Sequence, residues 1–170
     1  DVLLKILLVL FLGLFFGWGA YGFKKSMYFF SFLFNRINIY LPLKPVLGGL
    51  ILLGVYQFFD TQKFAGLGIE TIQNAFVQPQ DYFVFLGKII FTAFTLSAGF
   101  KGGEVTPLFF IGATLGSFLS VFIPLPLSLL AAMGFVAVFA GATHTPIACV
   151  VMGLELFGLE ATGYFEIGRA

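Results

Sequence analysis

Charge is what this sequence has least of. Only 10% of its 170 residues are charged and 59% are hydrophobic, where a soluble domain carries about 25% charged residues. Mean hydropathy is +1.03. The deficit excludes a soluble globular domain and makes the chain an integral membrane protein. Nine basic and eight acidic residues leave a net charge of +1, so nothing argues for a nucleic-acid partner. The lone cysteine, Cys149, lies in an apolar run. It excludes an internal disulfide and a C-x-x-C pair, and is expected to be a buried, inert thiol. Histidine is equally scarce, with His144 alone. No metal-ligand cluster, Ser-His-Asp order or P-loop is present. An enzyme is not expected, nor is a cofactor or a metal.

Long apolar runs are what the sequence does have. Val2 to Phe23 is long enough to span a bilayer, which takes about 20 residues. It is expected to run on toward Phe34, tilted or partly interfacial. Lys24, Lys25, Arg36 and Lys44 read as a cluster around a short connection, which the positive-inside rule places in the cytoplasm. Pro42 and Pro45 suit the first turn of a second helix reaching about Phe59 and crossing outward. Asp60 to Asp81 is more polar, with Lys63 and Glu70. It holds an apolar piece, Leu67 to Phe76, too short to span and expected to be re-entrant or interfacial on the outer side.

Tyr82 to Phe100 returns inward, and Val105 to Ile123 follows. In the latter, Gly112 and Gly116 form a G-x-x-x-G pair that lets another helix approach closely. Pro124 and Pro126 mark a boundary before Ser128 to Ala140. Gly141 to Pro146 interrupts that helix, Ile147 to Phe157 resumes it, and Leu159 to Ala170 begins another segment. The start lacks both Met and a signal-peptide pattern, and the end falls inside an apparent helix, so the chain is expected to be a fragment of a longer polytopic protein. Two glycine-proline interruptions at membrane depth suit a transporter, where broken helices place backbone groups around a substrate near the midplane. No internal repeat is visible.

The chemistry concentrates in Gly99 to Gly116, GFKGGEVTPLFFIGATLG. A loop that ends at a helix N-terminus offers free N–H groups and the positive pole of the dipole, and an anion is the ligand it suits best. Glu104 is an acid at membrane depth, where an ionised side chain costs roughly 2.5–3.5 kcal/mol on insertion scales. Either it caps its own helix, or its carboxyl shares a desolvated site with an anion. In the second case the neighbouring negative charge favours the protonated carboxyl, a physical basis for coupling proton to anion. Gly102 and Gly103 either end the preceding helix or allow close backbone approach. Thr106 either donates to an anion or bonds back to its own helix. Pro107 suits the first turn. Lys101 either lends positive potential or snorkels. His144, without a second His or an acid near it in sequence, reads as a cap or hydrogen-bonding residue ahead of a proton shuttle. Glu155 reads as a packing residue.

These residues resemble a known family, the CLC chloride channels and proton-coupled anion antiporters. GGEVTPLFFIGATLG is similar to that family's G-G-x-F-x-P anion motif with its following G-A-x-x-G. AAMGFVAVFAGATHTPIACVVMGLELFG resembles the broken helix pair after it, and GLGIETI the short segment before it. The likeness runs from about Lys44 to the end. Val105 stands where the motif has Phe, and Glu-Val-Thr-Pro resembles the fluoride-exporting branch of fluoride/proton antiporters.

The resemblance implies an all-α membrane fold of broken and re-entrant helices, two inverted repeats, and a homodimer in the full-length protein. Residues 1–170 would be most of the second repeat within one transmembrane domain, its C-terminal helix missing. The expected partners are fluoride or chloride, protons and the lipid bilayer, and the expected location is a bacterial inner membrane. The implied anion-binding residues are Gly102, Gly103, Glu104, Val105, Thr106 and Pro107. The amides of Glu104 and Val105 would face the anion, and Glu104 would couple the proton. The family's gating glutamate and late tyrosine match nothing here; Tyr164 is too early. Fluoride/proton antiport is the leading expectation. A chloride channel or exchanger of the same family is the alternative. From another class comes a non-transporting polytopic protein with Glu104 as a helix cap.

Overall fold

The computed structural model describes residues 2–37, 40, 42–58, 64 and 66–158. These form seven helices and no strand: α1 (Val2–Arg36), α2 (Leu43–Phe58), α3 (Ile69–Ala75), α4 (Tyr82–Ser97), α5 (Val105–Leu119), α6 (Leu127–Thr143) and α7 (Pro146–Phe157). The expected segment from Leu159 onward, Tyr164 with it, lies outside the described residues, as do Asp60 and Lys63.

Helix α1 has 35 residues, about 52 Å at 1.5 Å per residue. That exceeds the hydrocarbon thickness of about 30 Å, so the helix must tilt or emerge. It is unbroken past Phe34, as expected. The same continuity corrects the reading of the basic residues. Lys24 and Lys25 stand within α1 rather than on a connection, about 18 Å of helix before Arg36. Only Arg36 and Lys44 flank the link to α2. Leu12, Phe16, Ala20 and Phe23 recur at helical spacing and are buried, so one stripe of α1 faces the core while Leu10, Leu14, Trp18 and Tyr21 face outward.

The centre of the molecule is the antiparallel pair α5 and α6. A Cβ added to Gly112 would overlap the Gly134 carbonyl, and one added to Gly116 would overlap the Leu130 carbonyl. Gly134 faces the Gly112 carbonyl in return. The glycine spacing therefore does what its pattern promised, bringing two backbones into contact. Phe109 stacks on Phe135 beside that seam, with centroids 4.0 Å apart. The buried polar side chains of α5 find hydrogen-bond partners among the described residues. Thr114 donates to the Phe110 carbonyl at 2.7 Å. Ser117 donates to Gln78 O at 3.0 Å and accepts from Gln80 N–H at 3.1 Å, which ties the link between α3 and α4 to the last turn of α5.

The remaining helices wrap this pair. Helix α4 meets α1 through Phe94, edge-on to Phe30 and Phe34, and Ser97 donates to Met27 O at 3.2 Å. Helix α2 lies against α4, Tyr56 stacking on Phe91. The short α3 realises the expected non-spanning piece, with Gly68 in a left-handed turn (φ 69°) against the Phe110 ring. Helices α6 and α7 are separated by His144 and Thr145 alone. The expected break at Gly141–Pro146 therefore shortens, because α6 continues through Gly141, Ala142 and Thr143. Helices α5, α6 and α7 have 15, 17 and 12 residues, each short of the roughly 20 needed for a straight crossing.

Candidate functional site

Helix α4 ends at Ser97, and Gly99 (φ 98°) turns the chain away. That positive φ makes Gly99 the helix-ending glycine, a role the sequence left open for Gly102 and Gly103. A Cβ at Gly103 would meet open space, and one at Gly102 would touch only Leu96 Cδ2 at 3.3 Å. Packing among the described residues therefore does not require Gly103. Its backbone lies open to approach from outside.

Glu104 is the N-cap residue of α5 (φ −88°, ψ −15°), and its side chain makes no capping bond. The first helical bond runs from Leu108 N–H to Glu104 O at 3.1 Å. The N–H groups ahead of it, on Glu104, Val105 and Thr106, have no carbonyl one turn back to pair with, and Pro107 has no N–H. Three donors and the positive end of the helix dipole thus converge at this point. Glu104 and Val105 are exposed, while Thr106 and Pro107 are half-buried. All six candidate residues, Gly102 to Pro107, fall in this one loop and first turn.

Glu104 faces an open crevice of about 270 Å³ against α1, lined by Phe23, Lys24, Met27, Tyr28, Ser31 and Glu104 itself. The second break comes to the same stretch of α1. His144 adopts a left-handed backbone (φ 58°, ψ 32°) as the C-cap of α6, and its Nε2 lies 2.8 Å from Lys24 Nζ. Beside it the Thr143 and Thr145 hydroxyls are 2.7 Å apart. Pro146 opens α7 one residue later. Lys24 therefore bonds one interruption, through a residue 120 positions away, and lines the crevice at the other.

Other candidates fall elsewhere. Lys101 is exposed. Cys149 is free and buried, as expected. Glu155 stands exposed on α7, not packed in an interface within the chain. Sequence reasoning passed over two lysines. One is Lys24, as a crevice residue. The other is Lys88, which is 2% exposed in the middle of α4. Its Nζ donates to Phe64 O at 3.1 Å and Gly66 O at 2.8 Å, and lies 4.9 Å from the Phe110 ring centroid. The signal for both was a lysine well inside an apolar helix, where the ammonium must find a partner in the protein.

Short apolar helices, two helix breaks and donors converging on one crevice fit a polytopic membrane protein of the broken-helix kind that transporters use. The comparisons make the family specific. A family model described as voltage gated chloride channel matches residues 2–167. A chloride/fluoride channel protein of Pseudomonas syringae pv. tomato is 44% identical over 162 residues, covering 92% of this chain and 36% of that protein. The voltage-gated ClC-type chloride channel ClcB of Salmonella typhimurium is 30% identical over 136 residues, covering 74% of this chain and 32% of that protein. Among solved structures, a CLC-type fluoride/proton antiporter superposes with a TM-score of 0.85 at 34% identity, covering 94% of this chain and 40% of that one. The chain belongs to the voltage-gated chloride channel family, with the all-helical fold that membership implies. The match begins well before Lys44, where the motif resemblance began, because it includes α1. The chain spans well under half the length of each of these relatives.

Proposed function

We propose that this chain forms one wall of the permeation site of a CLC-type fluoride/proton antiporter that exports fluoride on inward proton flow. One observation carries the reading: Glu104, Val105 and Thr106 present unpaired N–H groups at the head of α5, with a glutamate carboxyl that does not cap the helix. A helix N-terminus supplies the anion subsite. A carboxyl beside that subsite favours its protonated form when the anion is present. Gly102 and Gly103 leave the backbone accessible, Thr106 supplies a hydroxyl, and Pro107 fixes the first turn without competing for the anion. The likeness to a solved fluoride/proton antiporter at 34% identity supports fluoride and proton as the transported species.

Residues 1–170 would be part of a single transmembrane domain in a bacterial inner membrane, completed by the other half of the site. The full protein would be a homodimer. The exposed apolar row Ile147, Val150, Val151 and Leu154 on α7 is a surface available to such an assembly. A chloride channel or chloride/proton exchanger is the second reading, favoured by the relative named as a chloride channel.

Proteoliposomes carrying the full-length protein separate the two. The antiporter reading expects fluoride efflux at least roughly tenfold faster than chloride, a difference of about 1.4 kcal/mol, and proton uptake that depends on it. Equal rates would favour the chloride reading. Glu104→Gln should leave the protein folded and uncouple proton movement from fluoride. Unchanged coupling would remove Glu104 from that role.

A further inference from the structure

Lys24 is a cation half-buried in a membrane helix, and such a group needs a partner. We propose that Lys24 is a positioning cation for the candidate anion site, that His144 holds it at the α6–α7 break, and that protonation of His144 releases it toward the Glu104 crevice. This rests on the functional reading above and adds two residues to it.

The bond itself sets the direction. An ammonium has three donors and no acceptor, so His144 Nε2 must accept from Lys24 Nζ across their 2.8 Å separation. The imidazole is then neutral, with its hydrogen on Nδ1. A protonated imidazole has donors on both nitrogens and no lone pair to offer. Two cations would then face each other at hydrogen-bond distance, and the lysine, on a flexible four-carbon stem, would move away.

The crevice decides where it would go. Among the described residues, His144 from the α6–α7 break bonds Lys24, and Glu104 from the head of α5 lines the same crevice with Tyr28 and Ser31 from its own helix. Lys25 turns to another side of α1, over the Tyr21 ring. Glu104 is the one acid lining that crevice among the described residues. The released ammonium therefore reaches Glu104 or an anion held at the α5 first turn. Either raises the positive potential where the anion binds.

The backbone at His144 is consistent with a built arrangement. It is the one non-glycine residue with positive φ among the described residues, a conformation a side chain rarely adopts without cause. That turn both ends α6 and delivers the ring to α1. Imidazole is also the side chain that can accept a hydrogen bond on a neutral ring nitrogen and take up a proton on that same atom, so one ring serves as both holder and release.

The test uses the full-length protein in liposomes and reads the fluoride concentration for half-maximal efflux between about pH 5.5 and 8. In the wild type that concentration should fall as pH falls. His144→Gln keeps an acceptor for Lys24 and cannot gain a proton. It should raise the half-saturation at low pH and remove the His144 part of the pH response, leaving the part that protonation of Glu104 supplies. Lys24→Met should raise half-saturation severalfold and flatten its pH response as well, while Lys24→Arg should recover part of both. A wild-type pH response retained in both His144→Gln and Lys24→Met overturns the proposal. If Lys24→Met does not fold, His144→Gln decides the question by itself. Failure of the fluoride reading is distinguishable. A wild type that moves chloride in place of fluoride sinks that reading, and the same pH series measured with chloride still tests Lys24 and His144.

Discussion

Helix α5 is two different objects joined at Leu108. From Leu108 to Leu119 nearly every residue is buried, down to Thr114 and Ser117. From Glu104 to Pro107 the same helix is exposed or half-buried, and its donors have no partner in the turn before. The buried part is determined by this chain alone, through glycines whose missing Cβ atoms make room for another backbone. The head is shaped by this chain, and nothing among the described residues completes it. Stability and the proposed function are therefore separable along a single helix, and substitutions at its two ends should behave differently.

The seam should show the largest effect. Gly116→Val places a branched side chain into the Leu130 carbonyl, against backbone that cannot step aside. Overpacking of this kind costs up to about 3 kcal/mol or more. The expected outcome is little or no folded protein, read by size-exclusion chromatography and thermal unfolding of the full-length protein in detergent. A stable Gly116→Val would mean that the two backbones do not meet as closely as the geometry has them.

Lys88 sharpens the contrast from the other side, because it is the buried counterpart of Lys24. Its ammonium closes two carbonyls and an aromatic face, and so ties the turn before α3 to both α4 and α5. Lys88→Met removes the donors and keeps the stem. Leaving the Phe64 and Gly66 carbonyls without their donor should cost about 1–3 kcal/mol, read as a lower unfolding midpoint. The half-saturation for fluoride should follow the pH as in the wild type. A pH response lost in Lys88→Met would place this lysine in the site and erase the distinction between the two.

Much of this arrangement was legible in the residues, for physical reasons. Pro45 and Pro107 mark first turns because a missing N–H costs little there, and they stand in the first turns of α2 and α5, with Pro42 one residue before α2. The G-x-x-x-G pair announced a close approach, and the glycine-acid loop announced the start of α5 at Glu104. What stayed hidden needs the third dimension. Lys24 and Lys25 looked like loop residues because charge counts along a sequence cannot tell a connection from one face of a long helix. His144 lacked a sequence neighbour that would explain it, since its partner is 120 positions away on α1. Lys88 was passed over because its partners are backbone carbonyls, which carry no sequence signature at all.

The two kinds of glycine in the loop give the smallest effects and the finest test. Gly99 turns the chain at φ 98°, and an added Cβ would also meet Pro45 Cγ at 3.3 Å. Gly99→Ala should therefore cost about 1–2 kcal/mol, the penalty of a left-handed backbone for an L-residue. Gly103 has open space around it, so Gly103→Ala should change stability by less than about 0.5 kcal/mol. Its methyl group would instead stand in the path of anything that approaches the head of α5. If an anion comes to the amides of Glu104 and Val105, Gly103→Ala should slow fluoride efflux while the unfolding midpoint stays in place, and Gly99→Ala should lower the midpoint first. Unchanged efflux in a well-folded Gly103→Ala would mean that the anion does not pass this part of the loop, and that Gly103 is no part of the site at the head of α5.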